Sequence, residues 1–514
     1  MKPGPVIFAA TLLLYMLSAG GHLYSPDEEV LFRTTRALAS GRAPAIQPLH
    51  GFATRPATPP RPDGLEYAQY GLGQPLLAVP FYWAGAALAR LGSDELWMRL
   101  YGADSLQARL AFDPVAEQLA PRWACSWFNV LVGALLAWLV FALARELTHN
   151  SRAATWTALL FAFATIAWPH SRPFFTESLA ALCLGLALFA LLKALRAQRM
   201  LPWLALAGLA AGYAALVRND SILFFPGLGL LVAGPVALEA RARRRSIGAA
   251  WSTFAIPPLL CGMLILALNL HHFGGPFQTG YADQAEGVAF STPLAAGLYG
   301  FLFSVGKGIF FFSPALVFGL LGWKRLATGQ APYPRTTTAA LALMIALFVL
   351  VMAKWQNWAG GWCWGPRHIV QIHPFLMLPA AAWLAAGNLF RVRRALALAL
   401  LVVGIAVQLL GVSQDFITFY HRFYRTPPSQ DRHPAIVMLD PMDRQFWSRF
   451  YQVRFRPHPD RDFRPVQLHL PAPTQHSLFV PRCSVWSGYL QMLREGSFDN
   501  FWVRLASNRE RTGS

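Results

Sequence analysis

The stretch RWACSWFNVLVGALLAWLVFALA, residues 122–144, decides the fold class of this chain. It is apolar over the length that a helix needs to cross the hydrocarbon core of a bilayer, which is about 30 Å thick. Because no water reaches that core, every backbone N–H and C=O must be satisfied within the segment, and only a helix does this with a single stretch of chain. The sequence therefore predicts a membrane-spanning helix here.

Similar apolar stretches recur along the 514 residues, of which 55% are hydrophobic and only 13% are charged. Soluble domains carry roughly 25% charged residues, so this composition excludes a soluble fold. We predict an all-α polytopic membrane protein with eleven transmembrane helices, at approximately 5–21, 122–144, 153–169, 176–195, 202–217, 222–239, 249–270, 298–322, 337–353, 374–390 and 395–412.

Basic residues cluster in short connections between these stretches, as in the arginine run at 241–245. The net charge of +19 is therefore interpreted as a topology signal and not as a nucleic-acid surface. With eleven crossings the basic connections lie in the cytoplasm. The longer polar regions then lie outside, namely 22–121, 271–297, 354–373 and the tail after 412.

A further apolar run at 71–91 would break this parity if it crossed the membrane. It is therefore predicted to be a helix that lies in or dips into the outer interface. Residues 1–412 are predicted to form the transmembrane domain, with 22–121 as its first outer loop. Residues 413–514 are predicted to form an outer C-terminal region.

Cysteine and histidine spacing predicts neither a disulfide framework nor a metal site. Of the five cysteines, only Cys363 and Cys483 could meet outside the predicted spans, and the sequence leaves their pairing open. The histidines of the outer regions have no compact ligand spacing, which disfavours zinc.

Acidic residues lie at two points where a predicted span meets the outer face. Asp27 and Glu28 follow the first span, and Glu177 opens the span at 176–195. Ser25 and Glu28 fit a helix-capping box, which leaves Asp27 able to accept a proton from an attacking hydroxyl. An acid at the start of an apolar run either caps the helix or faces a polar cavity or a partner, and both interpretations of Glu177 stay open.

Cationic residues also gather on the predicted outer face. Lys307 interrupts the eighth apolar stretch between two glycines, and Arg367 ends the loop WQNWAGGWCWGPR, residues 355–367. Each is either an anchor at the level of the lipid headgroups or a ligand for a phosphate group. Arg218, beside Asp220 in a short turn, is predicted to form a local ion pair and is the weaker candidate.

These motifs resemble the C-type membrane glycosyltransferases, in particular the bacterial protein mannosyltransferase-like and aminoarabinose transferase-like enzymes. The resemblance covers most of residues 1–390. It lies in a first span followed at once by Asp27-Glu28, in YAQYGLGQPLLAVPF from Tyr67, and in FFTES around Glu177. The second of these motifs is similar to the membrane-lying segment of the family's first outer loop.

The resemblance implies that Asp27 is catalytic, with Glu28 as its neighbour and Glu177 as a second acidic site, so the candidate catalytic residues are Asp27, Glu28 and Glu177. Whether a divalent metal takes part is left open. From their chemistry, Lys307 and Arg367 are inferred to bind the donor phosphate. The candidate substrate-lining residues are Tyr67, Trp358, Trp362, Trp364 and His368.

The implied function is transfer of a sugar, with inversion, from a polyprenyl-phosphate-linked donor to a lipid, glycan or protein acceptor. The implied location is the outer, periplasmic face of the bacterial inner membrane. The alternative is a lipid or glycolipid transporter without transferase chemistry. A transporter is expected to carry polar groups and broken helices near the middle of the membrane, whereas the charged motifs here gather at the outer edge.

The predicted orientation can be tested with Pro60→Cys and Arg244→Cys in a cysteine-free background. A membrane-impermeant thiol reagent applied outside is expected to modify position 60 alone, because position 244 lies in a basic cytoplasmic connection. Modification of position 244 together with protection of position 60 would contradict the orientation.

Overall fold

The computed structural model describes residues 3–47, 54–102, 118–281, 290–386, 390–416, 418–419, 455–458, 461–465, 481 and 484–512. Helices dominate this part of the chain. The α-helices are α1 (Pro3–Ser18), α2 (Pro26–Ala39), α3 (Gly73–Ala89), α4 (Asp94–Tyr101), α5 (Leu119–Ser126), α6 (Phe128–Thr148), α7 (Ser151–Ala164), α8 (Glu177–Arg196), α9 (Met200–Val217), α10 (Phe225–Leu231), α11 (Ala237–Ala242), α12 (Ile247–Phe273), α13 (Leu294–Phe303), α14 (Ile309–Phe312), α15 (Val317–Ala327), α16 (Pro334–Lys354), α17 (His373–Ala385), α18 (Phe390–Ser413), α19 (Val485–Arg494) and α20 (Phe501–Thr512).

Short 3₁₀ and π turns and two small sheets complete the described structure. The turns are Pro169–Ser171, Asn219–Phe224, Val232–Val236, Pro314–Leu316 and Arg367–Ile372, and the strands are β1 (Ala45–Ile46), β2 (Thr54–Pro56), β3 (Glu66–Ala68), β4 (Phe455–His458) and β5 (Arg461–Pro465). The first three strands form an antiparallel sheet with the order β1-β3-β2, in which Ala45 lies opposite Tyr67 and Thr54 opposite Ala68.

Within the described residues, eight helical segments are long and apolar enough to cross a membrane. This confirms the prediction of an all-α, multi-pass membrane protein, whereas the count of eleven spans is not confirmed. α1 and α13 are apolar but shorter. The predicted span at 153–169 stops at Ala164, because Thr165 adopts an extended backbone and Pro169 begins a separate turn.

The predicted span at 298–322 is not one helix. α13 ends before Ser304, whose backbone is extended, and the chain then turns tightly so that the Gly308 N–H donates to the Ser304 carbonyl. A Cβ atom at Gly308 would lie 2.5 Å from that oxygen, so the turn requires glycine. The stretch resumes as α14 and α15, and Lys307 therefore belongs to a break between helices.

The helix predicted at 71–91 is present as α3. Its first turn is fixed to the segment that leads into α8, because Gln74 Nε2 donates to the Phe174 carbonyl at 2.8 Å. The chain just before α3 passes very close to the end of α9, where a Cβ at Gly71 would lie 2.2 Å from the Leu216 carbonyl oxygen. The start of α3 is therefore packed directly onto α9 and the segment before α8.

A buried ion pair holds α2 against α5. The Arg122 guanidinium donates to both carboxylate oxygens of Glu29, at 2.7 and 3.0 Å, and Arg33 donates to the same carboxylate at 2.7 Å. Burial alone would raise the pKa of Glu29, but the two guanidinium groups outweigh burial and hold that pKa below its usual value. The pair thereby fixes the first turn of α2, which carries Asp27.

The described part of the C-terminal region packs on the membrane domain. The Phe501 N–H donates to the Ala19 carbonyl at 2.9 Å, and Trp486 Nε1 donates to the Val305 carbonyl at 3.1 Å. Cys483, whose pairing with Cys363 the sequence left open, lies outside the described residues.

Glu29→Gln tests the buried pair. The exchange leaves the Arg122 guanidinium buried without its counter-charge, which costs about 3–5 kcal/mol, so we expect a clearly lower unfolding temperature in detergent. The matched control is Glu95→Gln, which breaks an exposed pair with Arg99 that is worth about 1 kcal/mol or less. Equal, small shifts for the two variants would show that Arg122 does not depend on Glu29.

Candidate active site

Asp27 lies in the first turn of α2, where the positive end of the helix dipole favours a carboxylate. Ser25 has the extended backbone of an N-cap residue, with φ −133° and ψ 160°. The Asp27 side chain is 27% exposed, and its Oδ2 accepts a hydrogen bond from Arg367 Nη1 at 2.8 Å. The predicted catalytic acid is therefore accessible and lies against one of the two predicted phosphate ligands.

Glu28, the second acid of the motif, is turned inward and fully buried. Its Oε1 accepts from the Tyr24 N–H at 3.2 Å and from Ser25 Oγ at 3.0 Å, and its Oε2 accepts from the Phe174 N–H at 2.7 Å. Burial raises the pKa of Glu28 to about 8, although the hydrogen bonds oppose that shift. Both oxygens hold backbone, so the geometry gives Glu28 a positioning role in place of the predicted catalytic one.

Glu177 opens α8 and is only 2% exposed. Its Oε1 accepts from Arg218 Nη1 at 2.7 Å and lies 3.3 Å from Arg367 Nε. Its Oε2 is buried and has no hydrogen-bond partner among the described residues. Because Oε1 is bonded to one guanidinium group and close to another, the structure favours the interpretation that Glu177 faces charged partners over simple helix capping.

Arg218 is more central than the sequence indicated. It forms the predicted local pair with Asp220, through Nε–Oδ1 at 3.1 Å and Nη2–Oδ2 at 2.7 Å, and it also binds Glu177. Gln371 Nε2 extends the network by donating to Asp220 Oδ1 at 2.8 Å. The only sequence signal was a charged turn between two apolar stretches, since nothing local shows which helix that turn will meet.

Arg367 lies at the centre of this network. Its guanidinium is 13% exposed, bridges Asp27 and Glu177, and stands 4.4 Å from the ring centre of Phe175. An aromatic face beside a guanidinium keeps water away and stabilises the cation. The site thus combines two guanidinium groups with carboxylates on both sides, in a setting that is largely shielded from solvent.

A tyrosine of the first outer region also reaches Asp27. Burial raises the pKa of Tyr70 well above its usual value, and the charge of Asp27, with a hydrogen bond to it, adds to the shift. The ring of Tyr281 lies 6.3 Å from that of Tyr70. Tyr67, which the sequence proposed as substrate-lining, is instead 2% exposed and stacked on His272 at 3.7 Å.

The structure corrects the role expected for Lys307. This residue is 1% exposed, and its Nζ donates to the carbonyl oxygens of Gly361, Cys363 and Gly365 at 2.9, 3.0 and 2.9 Å. An ammonium group has three N–H donors, so these carbonyls use all of them. The Lys307 ammonium is thus buried with its donors in use and none left for a phosphate, and it fixes the loop that leads to Arg367.

Two of the tryptophans proposed to line the substrate are packed inside the protein. Trp358 is 8% exposed and meets the edge of Phe301 at 5.6 Å. Trp364 is 3% exposed and stacks on Tyr489 at 4.9 Å. These two side chains stabilise the packing, because the burial of a large apolar ring contributes more free energy than that of a small side chain.

Trp362 and His368 remain candidates near the site. Trp362 is partly buried against a cluster that includes Tyr24 and Phe175, so it shares an aromatic neighbourhood with Arg367. His368 is 7% exposed and directly follows Arg367 in the chain. Their contact with substrate stays a prediction.

The residues present do not fit a divalent metal. Among the described residues, no group of three or more His, Cys, Asp or Glu side chains converges. The space between Asp27 and Glu177 holds the Arg367 guanidinium, which would repel a second cation. The chemistry of this site is therefore assigned to its side chains.

Comparison with known families supports the resemblance seen in the sequence. Residues 118–261 match the family described as dolichyl-phosphate-mannose-protein mannosyltransferase. The matched part runs from α5 into α12 and contains Glu177, Arg218 and Asp220. Over that part it confirms the resemblance to membrane glycosyltransferases. No curated protein matches the chain significantly.

Solved structures that match this chain at low sequence identity include an ArnT and an archaeal oligosaccharyltransferase. ArnT from Cupriavidus metallidurans bound to undecaprenyl phosphate is 16% identical, with a TM-score of 0.47, over 82% of this chain and 65% of that one. The oligosaccharyltransferase AglB from Archaeoglobus fulgidus, in complex with an inhibitory peptide and a dolichol-phosphate, is 13% identical, with a TM-score of 0.43, over 80% and 55%. The chain thus spans less than two thirds of the length of either protein.

Lys307→Met tests the corrected role of this lysine. The exchange keeps an apolar stem but removes three hydrogen bonds from a charged donor, each worth about 1.5–3 kcal/mol. We expect a lower unfolding temperature and faster hydrogen exchange at residues 361–365, with no such change in the control Lys354→Met, an exposed lysine at the end of α16. A variant that stays stable but no longer binds polyprenyl phosphate would restore the phosphate-ligand hypothesis.

Proposed function

We propose that this protein is a membrane glycosyltransferase that moves a sugar from a polyprenyl-phosphate-linked donor to an acceptor hydroxyl. The transfer takes place on the outer face of the bacterial inner membrane, and the acceptor is a lipid, glycan or protein. Three findings support the proposal: the family match over 118–261, the motifs around Asp27 and Glu177, and the convergence of both acids on Arg367.

The observation that carries the proposal is the position of Arg367 between Asp27 and Glu177. A guanidinium recognises phosphate through its planar, forked N–H groups, and partial burial strengthens that interaction. Arg218, on the other side of Glu177, provides a second guanidinium in the same network. Two such groups beside a partly exposed carboxylate suit a phosphate-linked sugar that reacts with a hydroxyl.

In the proposed reaction Asp27 accepts the proton of the acceptor hydroxyl, and the oxygen of that hydroxyl attacks the anomeric carbon of the donor sugar. The bond between that carbon and the donor phosphate breaks, and polyprenyl phosphate leaves with the bonding electron pair. Attack from the side opposite the phosphate inverts the anomeric centre. Arg367 and Arg218 stabilise the negative charge that grows on the departing oxygen, because fixed cations act most strongly in a site shielded from water.

The contact between Asp27 and Arg367 has a consequence for the order of events. In the structure Arg367 Nη1 occupies one oxygen of the proposed base. A donor phosphate that takes over N–H groups of Arg367 frees that oxygen at the moment when the anomeric carbon arrives. Glu177 keeps Arg367 and Arg218 in place meanwhile, since its Oε1 lies within 3.3 Å of both.

Asp27→Asn and Arg367→Lys separate the two proposed roles. Asp27→Asn keeps the size of the side chain, so polyprenyl phosphate should still bind while transfer falls by roughly 10²–10⁴-fold. Arg367→Lys keeps the charge but loses the planar fork, so we expect weaker binding of sugar-free polyprenyl phosphate. Both quantities are measured on purified protein in lipid nanodiscs, with folding checked by thermal unfolding.

The matched controls are Asp63→Asn and Arg61→Lys, which alter an ion pair elsewhere in the first outer region. They should leave transfer and lipid binding at the parent level. Undiminished transfer by Asp27→Asn would show that Asp27 is not the base and has only a structural role in the first turn of α2. Movement of the lipid between leaflets without any transfer by the parent would favour the transporter instead.

A further inference from the structure

Asp499 is a buried acid in the C-terminal region to which the proposed reaction assigns no role. Its side chain is 10% exposed, its Oδ1 lies 3.0 Å from His22 Nε2, and its Oδ2 accepts from Arg172 Nη2. Burial alone would raise the pKa of Asp499, but His22 and the Arg172 guanidinium outweigh burial and hold that pKa well below its usual range. Asp499 is therefore a carboxylate with two close partners, and Arg504 Nη1 lies farther away, 3.7 Å from its Oδ1.

Those two partners lie on the chain segments that lead to Asp27 and to Glu177. His22 belongs to segment 19–25, which runs from α1 into the first turn of α2. Arg172 belongs to segment 170–176, which ends at the start of α8. Asp499 thus connects these two segments. Glu28 connects the same two segments, because it accepts hydrogen bonds from the Tyr24 N–H and from the Phe174 N–H.

The chain around Asp499 is itself firmly attached. The close approach is visible at Gly21, where φ is +71° and a Cβ atom would lie 2.7 Å from the Phe501 ring. Hydrogen bonds tie the segment to α1, α18 and the start of segment 19–25: Asp499 N–H to the Ser413 carbonyl at 2.8 Å, Asn500 Nδ2 to the Leu17 carbonyl at 2.7 Å, Phe501 N–H to the Ala19 carbonyl at 2.9 Å and Arg504 Nη2 to the Gly20 carbonyl at 2.8 Å.

We propose that Asp499 is a positioning residue for the transfer reaction, and that segment 484–504 is an integral part of the active site. By holding His22 and Arg172 together, Asp499 sets the position of Asp27 relative to Glu177. The contacts of Asp499 with His22 and Arg172 form a clamp, and this clamp is a property of the fold. Its effect on catalysis rests on the proposed function.

The clamp should affect turnover more than donor binding. The two guanidinium groups proposed to hold the phosphate come from Arg218, directly after α9, and from Arg367, in the turn before α17. Arg218 keeps its local pair with Asp220, and Arg367 ends the loop that Lys307 holds, so each has a support that does not involve Asp499. Loss of Asp499 is therefore expected to displace the base more than the phosphate ligands. Small misplacements of a reacting group cost about 10²-fold in rate.

The test compares Asp499→Asn, Asp499→Glu and the control Glu495→Gln, an exposed acid on the same segment that accepts from Gln491. For Asp499→Asn we expect kcat to fall at least about tenfold while the Kd for polyprenyl phosphate stays within about twofold of the parent. Asp499→Glu keeps the charge for Arg172 and should recover part of kcat, and Glu495→Gln should match the parent. Unchanged kcat in Asp499→Asn would overturn the proposal.

Hydrogen exchange on the full-length protein provides a second readout that needs no activity. Asp499→Asn should speed exchange in both 19–25 and 170–176, and faster exchange confined to 484–504 would overturn the clamp. If Asp499→Asn fails to fold, Asp499→Glu is judged by the same two readouts, because the added methylene group should displace both partners. A parent protein without transfer activity would defeat the proposed function, and the exchange result would still decide the clamp.

Discussion

The need to satisfy buried backbone groups is the constraint on which the rest of this structure depends. A helix satisfies its own N–H and C=O groups, but several segments of the site, such as 172–176 and 361–366, are not helical and lie largely inside the protein. Side chains supply the missing partners. Asn129 Nδ2 donates to the carbonyls of Pro173 and Phe175 at 2.5 and 2.7 Å, and Lys307 Nζ donates to three carbonyls of the loop before Arg367. Buried polar side chains of this kind permit an irregular backbone inside this membrane protein, because they form the hydrogen bonds that a helix would otherwise supply.

Charges follow the same logic. The buried carboxylate of Glu29 faces Arg122, that of Glu177 faces Arg218 and Arg367, and Asp27 meets Arg367 at the more exposed end. Removing one member of such a pair leaves the other charge without compensation, which is far more costly than losing an exposed pair. The pairs join the starts of α2 and α8 and the end of α9. Among the carboxylates of this network, Asp27 has the greatest access to solvent.

Sequence patterns predicted the membrane helices well because their cause is local. Apolar length fixes a span, and the helix at 71–91 and the acids at the starts of α2 and α8 were all found from neighbouring residues. The same patterns failed where helices break: 298–322 was predicted as one span, yet Gly308 and Ser304 form a turn there. Hydropathy does not register that turn, since the residues on both sides remain apolar.

The sequence by itself determined that this is a multi-pass helical membrane protein, and that Asp27, Glu177 and Arg367 are unusual residues for their positions. Only the tertiary structure decided their partners. It brought Arg218 to Glu177, turned Lys307 from a phosphate ligand into a loop anchor, and placed Asp499 beside the first outer loop. The physical reason is that a charged residue in an apolar stretch is visible in the local sequence and indicates that a partner is required. Which residue becomes that partner depends on helix packing, which is the sum of many weak contacts between residues far apart in sequence.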